Sequence, residues 1–282
     1  MTGIARRTID ELAARYELEP ELNDVFVEGV FDREVLALVS DAEDGRRAIY
    51  EIETVEIPSD LLAAHGLTEG NKQRVIALAR ELAKIEGECS YVCFVDKDLD
   101  HWLGDLELTK RLRWSKYCAI ELHFFSATFL RQLLVVTCKA KISNFDKFFE
   151  SITSALSDLY ALRLADSRLS LGLRWIPFEP CLTYQKDVVS VSMATYVDRL
   201  LQASGRSKQK TKFLMEFSQF RNNFSGDCRN HIRGHDFMDM LVWSIRQSRG
   251  LHQFASTVAI QRLFILSACL IPTIVEDIQC TI

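Results

Sequence analysis

Along residues 24–39 the spacing of apolar positions changes once. Val25, Phe26 and Val27 are consecutive, whereas Phe31, Val35, Leu38 and Val39 return at helical intervals. The first pattern predicts a strand buried on both faces and the second a helix with one apolar face. Glu28 and Gly29 stand at the change, and Asp32 follows four residues after the glutamate. Residues 91–100, "YVCFVDKDLD", repeat the arrangement: a continuous apolar run ends in Asp96, Asp98 and Asp100.

The same reading places further elements. Thr8 and Glu11 form a capping-box pair ahead of Leu12, Ala13 and Tyr16, which predicts an N-terminal helix. Residues 46–57 alternate and are β-branched enough for a second strand. Residues 70–87 put Val75, Ile76, Ala79, Leu82 and Ala83 on one helical face, with Gly87 where a C-cap belongs. Residues 90–95 and 117–125 read as strands. Strands alternating with helices predict a parallel sheet with right-handed crossovers, and ligands gather beyond the carboxyl ends of such strands. From about Lys139 the pattern becomes helical, over residues 145–162, 191–204, 210–224, 235–248 and 251–269. The expected fold class is therefore α/β with a mainly parallel sheet over residues 1–138, followed by a mainly α-helical domain over 139–282.

Composition fits a soluble globular chain. Of 282 residues, 48% are hydrophobic and 26% charged, enough to bury a core without staples. Eight scattered cysteines with no CxxC pair and no secretory leader imply reduced thiols and a cytoplasmic protein. The most membrane-like stretch, residues 256–275, is interrupted by Gln261, Arg262 and Pro272, so a buried helix is expected there. Charge is uneven. Residues 1–138 hold 16 Lys/Arg against 26 Asp/Glu, and residues 139–282 hold 18 against 13. The split fits a cation-binding half and a half facing an anionic polymer, although ordinary charge scatter also produces it.

The acids carry the candidate chemistry. Glu28, Asp32, Asp96, Asp98 and Asp100 follow strand ends, and Glu121 lies inside an apolar stretch. Crowded carboxylates repel, and a hard divalent cation such as Mg²⁺ or Mn²⁺ relieves them. An EF-hand loop matches the spacing from Asp96 to Glu107, but His101 occupies the position that needs glycine. An aspartate-nucleophile phosphatase leaves Glu28 and Asp32 unexplained. No GxGxxG or GxxxxGK[ST] cradle occurs. Solvated acidic turns remain the bland reading.

Strand-Glu-Gly-x-x-Asp, then strand-Asp-x-Asp, then a later glutamate, resembles the TOPRIM domain over about residues 20–130. That Rossmann-like domain is shared by topoisomerases, primases, rRNA maturases and the OLD-type nucleases. "GNKQRV" (residues 70–75) is similar to the glycine-led loop before the second helix of the OLD-type enzymes. "FVDKDLDHW", "YCAIELHFF" and "IRGHDFMDML" resemble a group of stand-alone TOPRIM proteins encoded beside ABC-type ATPases in bacterial defence islands. The nuclease subunits of the PARIS anti-phage system belong to that group.

The resemblance implies a Mg²⁺-dependent endoribonuclease. The ATPase restrains it until a phage protein triggers release, after which it acts as a toxin and cuts tRNA in an abortive infection. It implies Glu28 as acid/base or metal-bridging residue, Asp96 and Asp98 as the metal-holding pair, and Asp32 and Glu121 as additional acids. Asp100 matches a third acid of some members. The late catalytic lysine of the OLD-type enzymes has no assigned counterpart here. A homodimer is a candidate active form. Two other functions stay open, a catalytically silent docking subunit of an ATPase and a TOPRIM nuclease of normal RNA maturation.

Two basic groups are candidate nucleic-acid contacts. Arg199, Arg206, Lys208, Lys210 and Lys212 crowd a Gly/Ser-containing turn, and residues 199–233 hold eight Lys/Arg against two Asp/Glu. A solvated helix–helix turn explains them equally well. Lys110, Arg111 and Arg113 follow the Asp-rich loop, where they could hold a strand or pair with Asp105 and Glu107. Cys228, His231 and His235 are weak as a zinc set. Gly234-His235-Asp236 reads as a helix start, His123 as a core histidine, and Phe217, Phe220 and Phe224 as core aromatics.

Overall fold

The Thr8 hydroxyl accepts the Glu11 N–H at 3.2 Å, and the Glu11 carboxylate accepts the Thr8 N–H at 2.7 Å. This reciprocal cap starts α1 (Ile9–Leu18), whose buried face is Leu12 and Tyr16. The structure, a computed structural model, describes residues 6–40 and 48–274. The chain folds into two compact units. The first takes Met1–Lys97, Leu106–Lys116 and Phe264–Ile282, and the second Asp98–Asp105 and Tyr117–Leu263. The change of pattern near Lys139 falls inside the second unit.

The first unit holds β1 (Val25–Val27), α2 (Val30–Val39), β2 (Ile49–Glu51), α3 (Ser59–Ala64), α4 (Asn71–Leu82), β3 (Val92–Val95) and β4 (Leu112–Trp114). The strands form one parallel sheet in the order β2-β1-β3-β4, with Phe26 opposite Tyr50 on one side and Cys93 on the other. The central strands β1 and β3 are buried throughout, while the edge strands are partly exposed. Helices on a parallel sheet cover its middle, so only central strands show the continuous apolar run. The core joins Leu12, Tyr16, Phe26, Val75, Leu78, Leu82, Tyr91 and Cys93. Asp24, at the amino end of β1, is fully buried and accepts the Tyr16 hydroxyl at 2.9 Å and Arg15 at 3.2 Å.

The second unit is built on a 25-residue helix. In order it holds α5 (Asp100–Leu103), a 3₁₀ turn (Ile120–Phe124), α6 (Ala127–Arg131) with a π-helical continuation (Gln132–Thr137), and α7 (Phe145–Leu169). A hairpin of β5 (Leu182–Gln185) and β6 (Val188–Val191) follows, then α8 (Met193–Ala203), α9 (Lys210–Asn223) and α10 (Gly234–Gln247). α11 (Thr257–Ser267) begins in this unit, whose last residue is Leu263. α7 packs against α6, β6, α9 and α10 and buries Phe148, Ile152, Leu156, Leu159 and Tyr160.

Four expectations need correction. The apolar stretch 117–125 is no strand: Glu121 sits on the 3₁₀ turn Ile120–Phe124, all five residues of which are buried. The second strand covers only Ile49–Glu51 and gives way to a 3₁₀ turn, Ile52–Thr54; residues 46 and 47 lie outside the described residues. α4 ends at Leu82 with Ala83 as its C-cap, so Gly87 (φ 99°) serves the loop before β3. Val191 closes β6, and the helix predicted from it begins at Met193. The hairpin itself escapes the sequence pattern. Its turn uses Lys186 and Asp187 at φ 50° and 62°, without the glycine that usually marks such a turn. Asp187 holds the turn instead, accepting the N–H groups of Ser143 and Asn144 at 3.1 and 2.9 Å. Among the described residues, no helix is long and apolar enough to cross a membrane.

Candidate acidic site

Within the first unit, two strand ends meet. β1 and β3 are neighbours, so the residues that follow them emerge side by side at the carboxyl edge of the sheet. Glu28 uses this placement: its Oε1 accepts the backbone N–H of Asp96 at 2.9 Å. Its own carbonyl accepts the side-chain amide of Asn71 at 2.8 Å, so the first residue of α4 holds the other side of the glutamate. Asp32, the third residue of α2, turns its Oδ2 back to the Gly29 N–H at 3.2 Å. A carboxylate there suits both the unpaired N–H groups and the positive end of the helix dipole. The chain thus carries Glu28, Asp32 and Asp96 to one edge, with Glu28 oriented by hydrogen bonds at both its side chain and its peptide.

Two lysines also lie at that edge. Lys72, next after Asn71, places its ammonium 5.3 Å from the ring centre of Trp114, which pairs with Val95 across β3 and β4. Lys97 donates its ammonium to the Lys116 carbonyl at 2.8 Å, and its N–H to the Ser115 hydroxyl at 3.1 Å.

Asp98, Asp100 and Glu121 belong to the second unit. Asp98 adopts φ 44°, a left-handed conformation that aspartate tolerates better than most residues. Its backbone is held on both sides: its N–H donates to the Cys118 carbonyl at 2.8 Å, and its carbonyl accepts the Tyr160 hydroxyl at 2.5 Å. Asp100 opens α5. Glu121 is 9% exposed. Burial pushes its carboxyl above the ordinary range and the nearby charge of Asp98 adds to this, while a bond from its own backbone, His235 and Arg233 pull the other way. Glu121 and Asp98 thus sense each other's charge within the second unit, with Glu121 on a turn and not a strand.

The donor set is all carboxylate oxygen, which suits Mg²⁺ or Mn²⁺ in kind. Among the described residues, no three His, Cys, Asp or Glu side chains stand together as a ready metal cluster. Mg²⁺ commonly draws on one or two carboxylates and completes its shell with water and substrate phosphate. The zinc set is not assembled: His231 Nδ1 pairs with the Ser157 hydroxyl at 3.0 Å, and its ring stacks on Phe224 at 4.5 Å.

The basic groups differ. Lys110 donates to the Gly87 carbonyl at 3.2 Å, Arg111 lies 5.4 Å from the Tyr91 ring centre, and Arg113 donates to the Leu112 carbonyl at 3.2 Å. Of the two alternatives for this group, pairing with Glu107 does not form: Arg80 takes that carboxylate through a two-pronged contact of 2.7–3.1 Å. In the second unit Arg199, Arg206, Lys208 and Lys212 are exposed, whereas Lys210 is bound to Asp198 at 2.5 Å. His123 is buried edge-on to Tyr117 at 4.9 Å, in keeping with a core histidine.

Sequence reasoning missed Asn71, and it read Gly234 as part of a helix start without its close approach to Glu121. The only signal for Asn71 was its place after Gly70, whose φ of 137° demands glycine at the entry to α4. A scan against protein-family models and a search of curated proteins both find no match for this chain.

Proposed function

We propose that this chain is a divalent-cation-dependent endonuclease of the TOPRIM kind. The contact that carries the reading is the bond from the Asp96 N–H to Glu28 at the carboxyl edge of a parallel sheet. Such edges are where open α/β sheets bind ligands, and a carboxylate fixed there has the orientation that proton transfer needs.

Within the first unit, Glu28 and Asp96 are the groups that would hold Mg²⁺ or Mn²⁺; within the second, Asp98, Asp100 and Glu121 are the candidate acids. A bound cation supplies acidity to water and offsets charge on the phosphoryl oxygens. The protein's own part is positioning. Glu28, held by Asp96 and Asn71, accepts the proton of the attacking water or of a ribose 2′-hydroxyl brought within about 3 Å. Asp32 accepts the Gly29 N–H and keeps the start of α2 in place. Arg206, Lys208 and Lys212, with Lys110, Arg111 and Arg113, neutralise backbone phosphates.

The finer reading rests on the resemblance of "FVDKDLDHW", "YCAIELHFF" and "IRGHDFMDML" to the defence-island proteins. It makes the chain a toxic effector of anti-phage defence, restrained by an ABC-type ATPase and cutting tRNA on release. Expression in bacteria with and without such an ATPase, followed by sequencing of RNA and DNA ends, tests it. Toxicity with new tRNA ends that Glu28→Ala abolishes supports the reading. Unchanged toxicity of Glu28→Ala contradicts it, and a harmless parent favours the docking or RNA-maturation readings.

A further inference from the structure

Gly234 is buried and opens the 14-residue helix α10. Its φ lies outside the left-handed region, so torsion does not demand glycine there. Space does. A Cβ at this position would fall 2.7 Å from Oε2 of Glu121, 3.0 Å from its Cδ and 2.9 Å from the Cβ of Ala119. No real Cβ tolerates such contacts, so the Glu121 carboxylate lies directly on bare helix backbone.

Both sides of this contact are fixed. In the first turn of α10, Asp236 is 3% exposed and receives a two-pronged bond from Arg163 of α7 at 2.8 and 2.7 Å. On the other side, the Cys118 N–H donates to the Arg229 carbonyl at 3.1 Å, and the Leu122 N–H to the Ala119 carbonyl at 3.1 Å. The Asp98 N–H reaches the Cys118 carbonyl, which joins the aspartate loop to the same segment. Neither α10 nor the turn bearing Glu121 can withdraw without breaking these bonds.

We infer that Gly234 is a positioning residue for Glu121: the first residue of α10 is the wall on which that carboxylate is set, and the Arg163–Asp236 pair holds the wall in place. The sequence Gly234-His235-Asp236 then has a physical reason. Glycine admits the carboxylate, and aspartate two residues on anchors the helix start. The inference deepens the nuclease reading and rests on it for its functional part.

The test uses the full chain carrying Ala119→Gly, which removes the second close contact. Gly234→Ala is introduced into that chain with Glu121 present and with Glu121→Ala. Neighbours in contact are expected to show non-additive effects. Gly234→Ala should lower Tm by about 4 °C or more when Glu121 is present, and by under about 2 °C when it is alanine. Equal shifts in both chains would overturn the seat. Cleavage of RNA in Mg²⁺ should fall at least about tenfold in kcat in the Ala119→Gly/Gly234→Ala chain, with KM little changed. Cleavage equal to that of Ala119→Gly alone would overturn the positioning role. If the Ala119→Gly chain and its parent cut no nucleic acid, the nuclease reading fails, and the melting comparison still decides whether Gly234 seats Glu121.

Discussion

The Glu28 carboxylate and the Asp96 N–H, 68 residues apart in sequence, meet at 2.9 Å where two neighbouring parallel strands end. The bond makes the orientation of Glu28 depend on the strand that bears the aspartates.

Substitution at Glu28 separates fold from charge. Glutamine keeps an oxygen for the Asp96 N–H, whereas alanine removes the Glu28 oxygen that N–H donates to. Glu28→Ala should cost about 1–2 kcal/mol in urea unfolding and Glu28→Gln under about half of that. Both should abolish cleavage to the same degree. A Glu28→Gln chain that cuts like the parent would show that the carboxylate charge is not used.

Breaking the Arg163–Asp236 pair from one side should destabilise the second unit. Their side chains are 15% and 5% exposed, and Arg163 also lies 4.1 Å from the Trp175 ring centre. Arg163→Ala leaves Asp236 only the longer Arg233 contact at 3.7 Å, and Asp236→Ala leaves the buried Arg163 without its two-pronged acceptor; either should cost about 3–5 kcal/mol. Replacing both, as Arg163→Met/Asp236→Leu, should recover much of the loss in the same denaturation experiment.

How much of this was legible beforehand follows burial. β1 and β3 announced themselves because central parallel strands are apolar throughout, and Glu28 and Asp96 stood at their ends. The edge strand β4 has only three residues, Leu112, Arg113 and Trp114, which no periodicity can distinguish from a loop. Residues 120–124 misled for the opposite reason. All five are buried, so apolarity reports burial and says nothing about whether the backbone is strand or 3₁₀ turn. The seat at Gly234 was hidden because it is a contact between backbone and a distant side chain, which leaves no local pattern.

His231 should give stability a pH dependence. Burial lowers the pKa of its ring, and its neighbours include Ser157, Phe224, Arg221, Asp227 and His101. The unfolded chain takes up the proton near pH 6.5 and the folded one only below that. The penalty is therefore absent above about pH 6.5, grows as pH falls, and levels off below the folded value. Unfolding free energy measured from pH 7.5 to 5 should fall less steeply in His231→Asn than in the parent. Parallel curves would show that the ring is not held neutral.

The basic surface near α9 should discriminate among its own lysines. Lys210 is already paired with Asp198, while Arg206, Lys208 and Lys212 are exposed. Removing Lys208 or Lys212 should weaken RNA binding alike for all sequences and reduce the salt slope by about 1. Lys210→Ala should do less. Filter binding from 50 to 200 mM salt reads both quantities.

The most direct measurement is cleavage of end-labelled tRNA and of plasmid DNA by the purified chain in Mg²⁺, with and without chelator, beside Glu28→Gln and Asp96→Asn. The account predicts new ends from the parent in Mg²⁺ alone, and none from either variant. Cutting that survives the chelator, or that both variants perform at the parent's rate, would contradict it.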